Sequence, residues 1–303
     1  MAGISFFIPA YNCGGTLEEA VRSVRETNFN AGDELIIVND FSPDNTEDVI
    51  NRLKREYPDI IHINHSQNKG GGAARNTAIE NSKNELLFCL DADNILEKNS
   101  IEPLKKHLLA NQADIASFKE MRYFNAVNRY DTQYIWRFLP NTSLADFMAD
   151  HKNPGSSGNY LFTKKSWLRA GGYPEFAGAL DTWGFCFRQL VTGSKLVSLK
   201  GSYYFHRYGD NSYYIRDMQT QNMSSVAMKI ILPSINLFTP EDIVYMTSEK
   251  ASLTWFDNFD KHPIRLAGHP IGSKSLYIDM SRRITIYKLM CKAFYRLKKT
   301  INR

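Results

Sequence analysis

Asp91 and Asp93, one residue apart in the stretch LDADN, follow a continuous apolar run from Leu86 to Leu90. Carboxylate oxygens at that spacing suit a hard divalent cation, Mg2+ or Mn2+, if the chain turns so that both face one crevice. Such a cation would neutralise a diphosphate. Two acids around a small spacer also make an ordinary solvated turn. A place just past a buried strand favours the ligand reading, because open α/β sheets bind ligands beyond the carboxyl ends of their strands.

Two further clusters are candidates for the same crevice. In NDFSPDNT, Asn39 to Thr46, Asp40 closes another apolar run, and its carboxylate could accept a hydrogen bond from a base or a ribose. Ser42, Asp44 and Asn45 read equally well as capping residues of a strand-turn-helix connection. In NKGGGAARN, Asn68 to Asn76, three glycines ahead of a helix would let backbone N–H groups approach phosphates, with Arg75 as a permanent cation. Tight helix entry is the alternative there. The pattern is neither a P-loop nor GxGxxG, which argues against a standard dinucleotide fingerprint.

The elements that must position these residues follow from periodicity. Over the first hundred residues, short apolar runs alternate with amphipathic stretches, as in βαβ units around a mostly parallel sheet. Strands are expected at Ile4–Ile8, Leu35–Val38, Ile60–Ile63 and Leu86–Leu90, with helices after Thr16, over Thr46–Tyr57 and from Gly70–Gly72. A helix around Ile101–Leu109 and strands at Ile115–Phe118 and Asn159–Phe162 come next, then a helix from about Asp181 to Val191 and a strand near Leu196–Tyr204. Met121 to Asp150, rich in aromatics without a clear period, reads as a surface excursion. Beyond Tyr214 the chain reads helical, with breaks at Pro233, Pro240 and Pro263.

Together these fragments resemble the nucleotide-sugar glycosyltransferases of family 2, which have the GT-A fold. FIPAYN (Phe7–Asn12), VNDFSPDNT, NKGGGAARN, LDADN, GGYPE (Gly171–Glu175) and LDTW (Leu180–Trp183) stand in the family's order over about residues 1 to 210. The resemblance implies an α/β fold with a mixed, mainly parallel sheet flanked by helices. A GT-A domain over 1–213 would divide into a nucleotide-binding half, 1–94, and an acceptor and catalytic half, 95–213. A helical region, 214–303, would follow.

The resemblance also implies roles. Pro9, Ala10, Tyr11, Asn12, Asp40, Asn68, Gly71 and Arg75 would border the nucleotide, with Asp91 and Ala92 beside the ribose. Asp91 and Asp93 would bind the metal, and His206 would be a third ligand through a neutral ring nitrogen, although a lone histidine is often structural. Arg207 would contact the diphosphate. Asp181 matches the acid that opens the catalytic helix of inverting members and would be the general base; Leu180 stands where the family more often has Glu. The implied activity is inverting transfer from a nucleotide-sugar, by family weight a UDP-sugar, to a saccharide or lipid-linked glycan hydroxyl in cell-surface polysaccharide synthesis. Trp136, Tyr160 and Trp183 offer aromatic faces that could stack on sugar rings, although core packing is the leading role for any one of them, and Gly155 to Gly158 could form a wall of the acceptor cleft. A catalytically silent nucleotide-sugar binding module and a metal-dependent nucleotidyltransferase are the competing readings. The latter lacks a basic residue in FIPAYNCGG.

Composition sets outer bounds. Of 303 residues 43% are hydrophobic and 23% charged, near the values of soluble globular chains, and no apolar run is long enough to span a membrane. Four scattered cysteines, Cys13, Cys89, Cys186 and Cys291, suggest free thiols in a reducing, cytoplasmic compartment. Net charge is +5, yet eight Lys and Arg lie within 282–303, which leaves −3 for residues 1–281. Ile284, Tyr287, Cys291, Phe294, Leu297 and Ile301 give that tail one apolar helical face. It could lie on the inner face of an anionic membrane, or dock on its own domain or on a partner subunit. Nucleic acid is not an expected partner, because no base-reading motif accompanies the charge.

Overall fold

The computed structural model describes residues 3–124, 130–208, 213–258 and 261–267. The basic tail and Cys291 lie outside them. The first half is a run of right-sized βαβ units. Strands β1 (Ile4–Ala10), β2 (Glu34–Asn39), β3 (Ile61–Asn64) and β4 (Leu86–Cys89) are mutually parallel in the spatial order β3-β2-β1-β4. β2 and β4 are buried at every position, because helices α1 (Leu17–Arg25), α2 (Thr46–Glu56) and α3 (Gly71–Glu80) cover the sheet. Apolar residues on both faces of a strand are the mark of such double cover. β3, half-exposed, is the edge.

The second half joins antiparallel. A short β5 (Ile95–Leu96) and α4 (Ile101–Ala110) lead into β6 (Ile115–Phe124), which forms a hairpin with β7 (Thr132–Arg137). α5 (Leu144–Ala149), α6 (Pro154–Ser157), β8 (Tyr160–Thr163), α7 (Lys164–Ala170), α8 (Asp181–Val191) and β9 (Leu196–Arg207) follow. β8 runs antiparallel between β4 and β6, and β9 parallel to β6, so the sheet continues β4-β8-β6-β9-β5. The expected surface excursion over Met121–Asp150 is therefore corrected. Its first part extends β6, β7 pairs with it, and α5 carries a Ser143/Asp146 capping box and buries Leu144, Phe147 and Met148. β6 has strands on both sides, and its buried residues do not alternate simply, which is why no period was visible.

After β9 come α9 (Tyr213–Thr220), α10 (Met223–Ile231) and α11 (Pro240–Thr247). Pro240 begins α11 after a Thr239 cap rather than breaking a helix, and Pro233 lies in the first turn of the 3-10 segment Leu232–Leu237. Ala227, Ile230, Phe238, Trp255 and Ile264 share one hydrophobic core with α8 and the underside of the sheet. Among the described residues no helix is long and apolar enough to cross a membrane. Cys13, Cys89 and Cys186 are free thiols.

Trp183 and Tyr160 belong to this core, so of the two roles weighed for them packing holds and sugar stacking does not. Trp183 is 1% exposed and packs against Phe147, Phe187 and Phe256 at centroid distances of 5.3, 5.8 and 5.0 Å. Tyr160, wholly buried, donates its hydroxyl to Gln189 at 3.1 Å. Gly155 is likewise buried, with a Cβ there meeting Cys186 and Phe147 at 2.6 Å, so this stretch packs α6 on α8. Trp183→Ala is expected to cost about 3–5 kcal/mol in urea unfolding. A loss below about 1 kcal/mol would contradict the core placement.

Candidate active site

The polar clusters converge at the carboxyl ends of β1, β2 and β4. Two turns are tied together first. The backbone N–H of Asn12 donates to Ser42 Oγ at 3.1 Å, that of Cys13 to Thr46 Oγ1 at 2.9 Å, and that of Gly14 to Asp44 Oδ2 at 2.9 Å. The capping reading is corrected: α2 starts at an Asn45 that makes no side-chain cap bond, and Ser42 and Asp44 spend side-chain oxygens on the β1 turn, Asp44 Oδ1 also accepting from Thr46 N–H at 3.2 Å. Pro9 and Ala10 stay within β1, and Ala10 O accepts from Asp40 N–H at 2.8 Å. Tyr11 is 43% exposed beside this turn. Phe41, which sequence reasoning passed over, projects next to it at 58% exposure with φ 60°. A bulky residue in left-handed conformation is strained and marks a site to inspect.

Asp40 is not the open acceptor that the sequence suggested. Its side chain is 2% exposed and accepts from His65 Nδ1 at 2.6 Å and from the backbone N–H groups of Lys69 and Gly70 at 2.8 and 2.7 Å. Asn68 Nδ2 reaches Asp40 O at 3.3 Å. The N–H groups of Lys69 and Gly70, expected to face phosphates, are thus already bound, and the carboxylate shapes the entry to α3. Gly71 has a different use. A Cβ there would meet Arg75 Nη1 and Asp181 Oδ2, each at 2.7 Å, so only glycine lets that ion pair lie against the helix start.

Arg75 holds the centre. Nη1 donates to Asp181 Oδ2 and Nη2 to Asp91 Oδ1, both at 2.6 Å, with the guanidinium buried. Burial opposes its charge, yet Asp181 and Asp91 hold it well above the ordinary arginine value. Asp181, 3% exposed at the start of α8, is pushed up to about 6 by burial, against the pull of Arg75. Asp91 is fixed from a third direction. Asn159 Oδ1 accepts from its backbone N–H at 2.8 Å, and Asn159 Nδ2 donates to its Oδ2 at 2.9 Å. No local signal pointed to Asn159, which lies 68 residues away. Asn76, on α3, binds the Tyr173 backbone on both sides, at 2.9 and 3.0 Å, and so docks the GGYPE turn.

Asp93 and His206 complete the cluster. Asp93, with Ala92 buried beside it, is pushed up to about 6 by burial and then by Asp91. Burial brings His206 down to about 4, against the nearby Asp91, so its ring is neutral, and its Nδ1 is buried without a partner. A carboxylate with lone pairs to spare and an orphaned imidazole nitrogen are the donor chemistry of a divalent-cation site. Among the described residues no group of three or more His, Cys, Asp or Glu side chains is close enough together to hold a metal ion, so Asp91, Asp93 and His206 are not assembled as a ligand set in this arrangement. Arg207 is committed elsewhere than expected. Nε donates to Asp93 O at 3.1 Å and Nη2 pairs with Glu19, so it braces the Asp93 turn.

Asp217 on α9 is a second functional candidate missed in the sequence. It is 8% exposed, accepts from Ala179 N–H at 2.7 Å and Gln221 Nε2 at 2.8 Å, and so clamps the turn directly before Asp181. That turn needs Gly178, at φ 54°, where a Cβ would meet Asp217 Oδ2 at 2.3 Å. Tyr213, at the start of α9, is pushed up to about 12 by burial of its hydroxyl and by Asp181 and Asp217.

The sequence model described as glycosyl transferase family 2 matches residues 5–172. The chain belongs to glycosyl transferase family 2. Poly-beta-1,6-N-acetyl-D-glucosamine synthase of Staphylococcus aureus is 33% identical over 100 residues, 33% of this chain and 24% of that protein. Poly(ribitol-phosphate) beta-glucosyltransferase of Bacillus spizizenii is 33% identical over 114 residues, 37% of this chain and 18% of that one. The matches thus span about a quarter or less of these relatives. Among solved structures, S. aureus TarS 1-349 in complex with UDP-GlcNAc aligns at TM-score 0.60 and 16% identity, covering 84% of this chain and 72% of that one. Mannosyltransferase PcManGT from Pyrobaculum calidifontis, in complex with GDP-Man and Mn2+, aligns at 0.56 and 16%, covering 77% and 64%. At such identities the likeness establishes the GT-A fold.

Gly178→Ala should destabilise this family 2 chain by about 1–3 kcal/mol through backbone strain and the clash with Asp217. Asp217→Ala removes the clash, so the double variant should cost less than the two singles together in thermal or urea unfolding. Strictly additive costs would show that the contact carries no energy.

Proposed function

We propose that this chain transfers a sugar from a nucleoside-diphosphate sugar to a hydroxyl of a saccharide or lipid-linked glycan, with inversion at the anomeric carbon. The observation that carries this reading is the buried Arg75, which bridges the first acid of the DAD motif to the acid that opens α8. It brings a diphosphate-and-metal site and a base together. Similarity to proteins named for making poly-N-acetylglucosamine and glucosylated poly(ribitol phosphate) favours cell-surface polymer synthesis. The TarS complex favours a UDP-sugar.

The residues divide the work. Tyr11 and Phe41, exposed at adjacent strand ends, offer their rings to the base. Asp91, Asp93 and His206 are the residues that would hold a divalent cation, and when bound it supplies countercharge for the departing diphosphate. Asp181 accepts the proton of the acceptor hydroxyl as that oxygen bonds the anomeric carbon and the bond to the diphosphate breaks. Arg75 orients Asp181 and favours its ionised form. One displacement, without a covalent sugar intermediate, inverts the centre. A nucleotidyltransferase reading gains nothing from the geometry, because the Lys69 and Gly70 amides are bound to Asp40 rather than presented to a triphosphate.

Incubation with UDP-, GDP- and dTDP-sugars, with Mn2+ and Mg2+ compared, should release nucleoside diphosphate. Pyrophosphate instead would identify nucleotidyl transfer. Asp181→Asn should cut turnover by about 10²–10⁴-fold while donor binding persists, and undiminished turnover would remove Asp181 as base. With Asp181 raised to about 6, turnover at saturating metal should decline as pH falls through that value, since the base acts ionised. A rate constant down to about pH 4, the ordinary carboxylate range, would show that Asp181 need not be charged.

A further inference from the structure

The β6-β7 hairpin presents a set of aromatic rings that packing alone does not explain. Tyr123 lies between Tyr134 on β7 and His206 on β9 in register, so the three side chains form one cross-strand row. Tyr123 and Tyr134 stack at 3.9 Å between centroids, Tyr123 meets the His206 ring at 4.8 Å, and Tyr208 meets Tyr134 edge-on at 5.9 Å. Trp136, two residues from Tyr134 and on the same face, meets Tyr123 at 5.6 Å and His151 at 5.6 Å. Rings recruited only for a core would be covered. Here Tyr123 is buried and acts as the base of the set, while Tyr134 and Tyr208 remain 41% and 49% exposed.

Three features say what this face suits. It is continuous with the candidate active site, because His206 belongs to both. It is preorganised, since β6 is hydrogen-bonded on both edges along this stretch and ordering it costs a ligand little. Among the described residues of the hairpin, two cations are also turned away. Arg122 and Arg137, on the alternate residues, both pair with Glu120 on the opposite face. A row of rings with no Lys or Arg beside it among the described residues of the hairpin suits a neutral ligand with a C–H face, which meets the negative face of an aromatic ring, better than a phosphate polymer.

We propose that Tyr134, Tyr208 and Trp136, supported by Tyr123, form the platform on which the acceptor saccharide lies, and that the acceptor presented there is a neutral glycan rather than a polyol phosphate. The inference rests on the glycosyl-transfer reading above and narrows its acceptor. On that reading the base lies against Tyr11 and Phe41 at the carboxyl ends of β1 and β2, and Tyr134 and Tyr208 are not among the residues assigned to the donor, so UDP affinity serves as the control.

Calorimetric titration of the full chain tests this, with N-acetylglucosamine and glucose tetrasaccharides and poly(ribitol phosphate) as probes, in parallel with UDP. Tyr134→Ala and Tyr208→Ala should each weaken binding of a tetrasaccharide by about tenfold or more, Tyr134→Phe should restore it, and UDP affinity should stay within about twofold. Tetrasaccharide binding indifferent to both alanine variants would overturn the platform, as would poly(ribitol phosphate) binding in preference to every tetrasaccharide or no tetrasaccharide binding at all. Failure of every nucleotide-sugar to release a nucleoside diphosphate would instead defeat the transfer reading, and the titration would register the platform separately.

Discussion

One buried guanidinium organises this molecule. Arg75 reaches Asp91 at the end of β4 and Asp181 at the start of α8, residues 16 and 106 positions away, and the buried Asp181 could not be held as an ion without it. Removing one partner from such a set leaves an uncompensated charge and costs about 3–5 kcal/mol. The surroundings are shaped to permit this contact. Gly71 leaves room for the ion pair, Gly72 lets the Pro174–Glu175 turn approach α3, and Asn76 docks that turn. Asp40 sets the loop from which α3 begins.

Burial then assigns different chemistry to the titratable groups of this region. It raises Asp93 and Asp181 towards neutrality, lowers His206 so that its ring stays uncharged, and leaves Arg75 cationic under the influence of its partners. A raised carboxylate is a stronger base than an exposed one, and a neutral imidazole is a ligand where a charged one is not. The same low polarity that makes the cluster costly to assemble makes each of its members useful. The parallel half of the sheet and its helices supply Asp40, Arg75 and Asp91, and the antiparallel half supplies Asn159. The helices after β9 add Asp217, which ties the turn before Asp181 to α9.

Much of this was legible in the sequence because it is local. Apolar runs of strand length fixed by double cover, acids just past them, and glycines before a helix are written in neighbouring residues, and so were β4 ending at DADN and α8 opening on Asp181. The order of the motifs was enough to reach the family. What the sequence could not determine was how a polar side chain spends its hydrogen bonds. Asp40 and Arg207 looked like ligand contacts and are occupied by the protein. Trp183 and Tyr160 could be read as core or as sugar faces and are core, because an aromatic residue carries no local mark of which side of a sheet it lies on. The Met121–Asp150 stretch hid a hairpin, since a strand paired on both edges and covered unevenly has no clean alternation. Asn159 and Asp217 have partners 68 and 38 residues away, and only the packed sheet and helices bring those ends together. Residue types and spacing thus determined the elements and the chemical repertoire of this protein, and tertiary structure decided which groups are spent on holding the site and which remain to act.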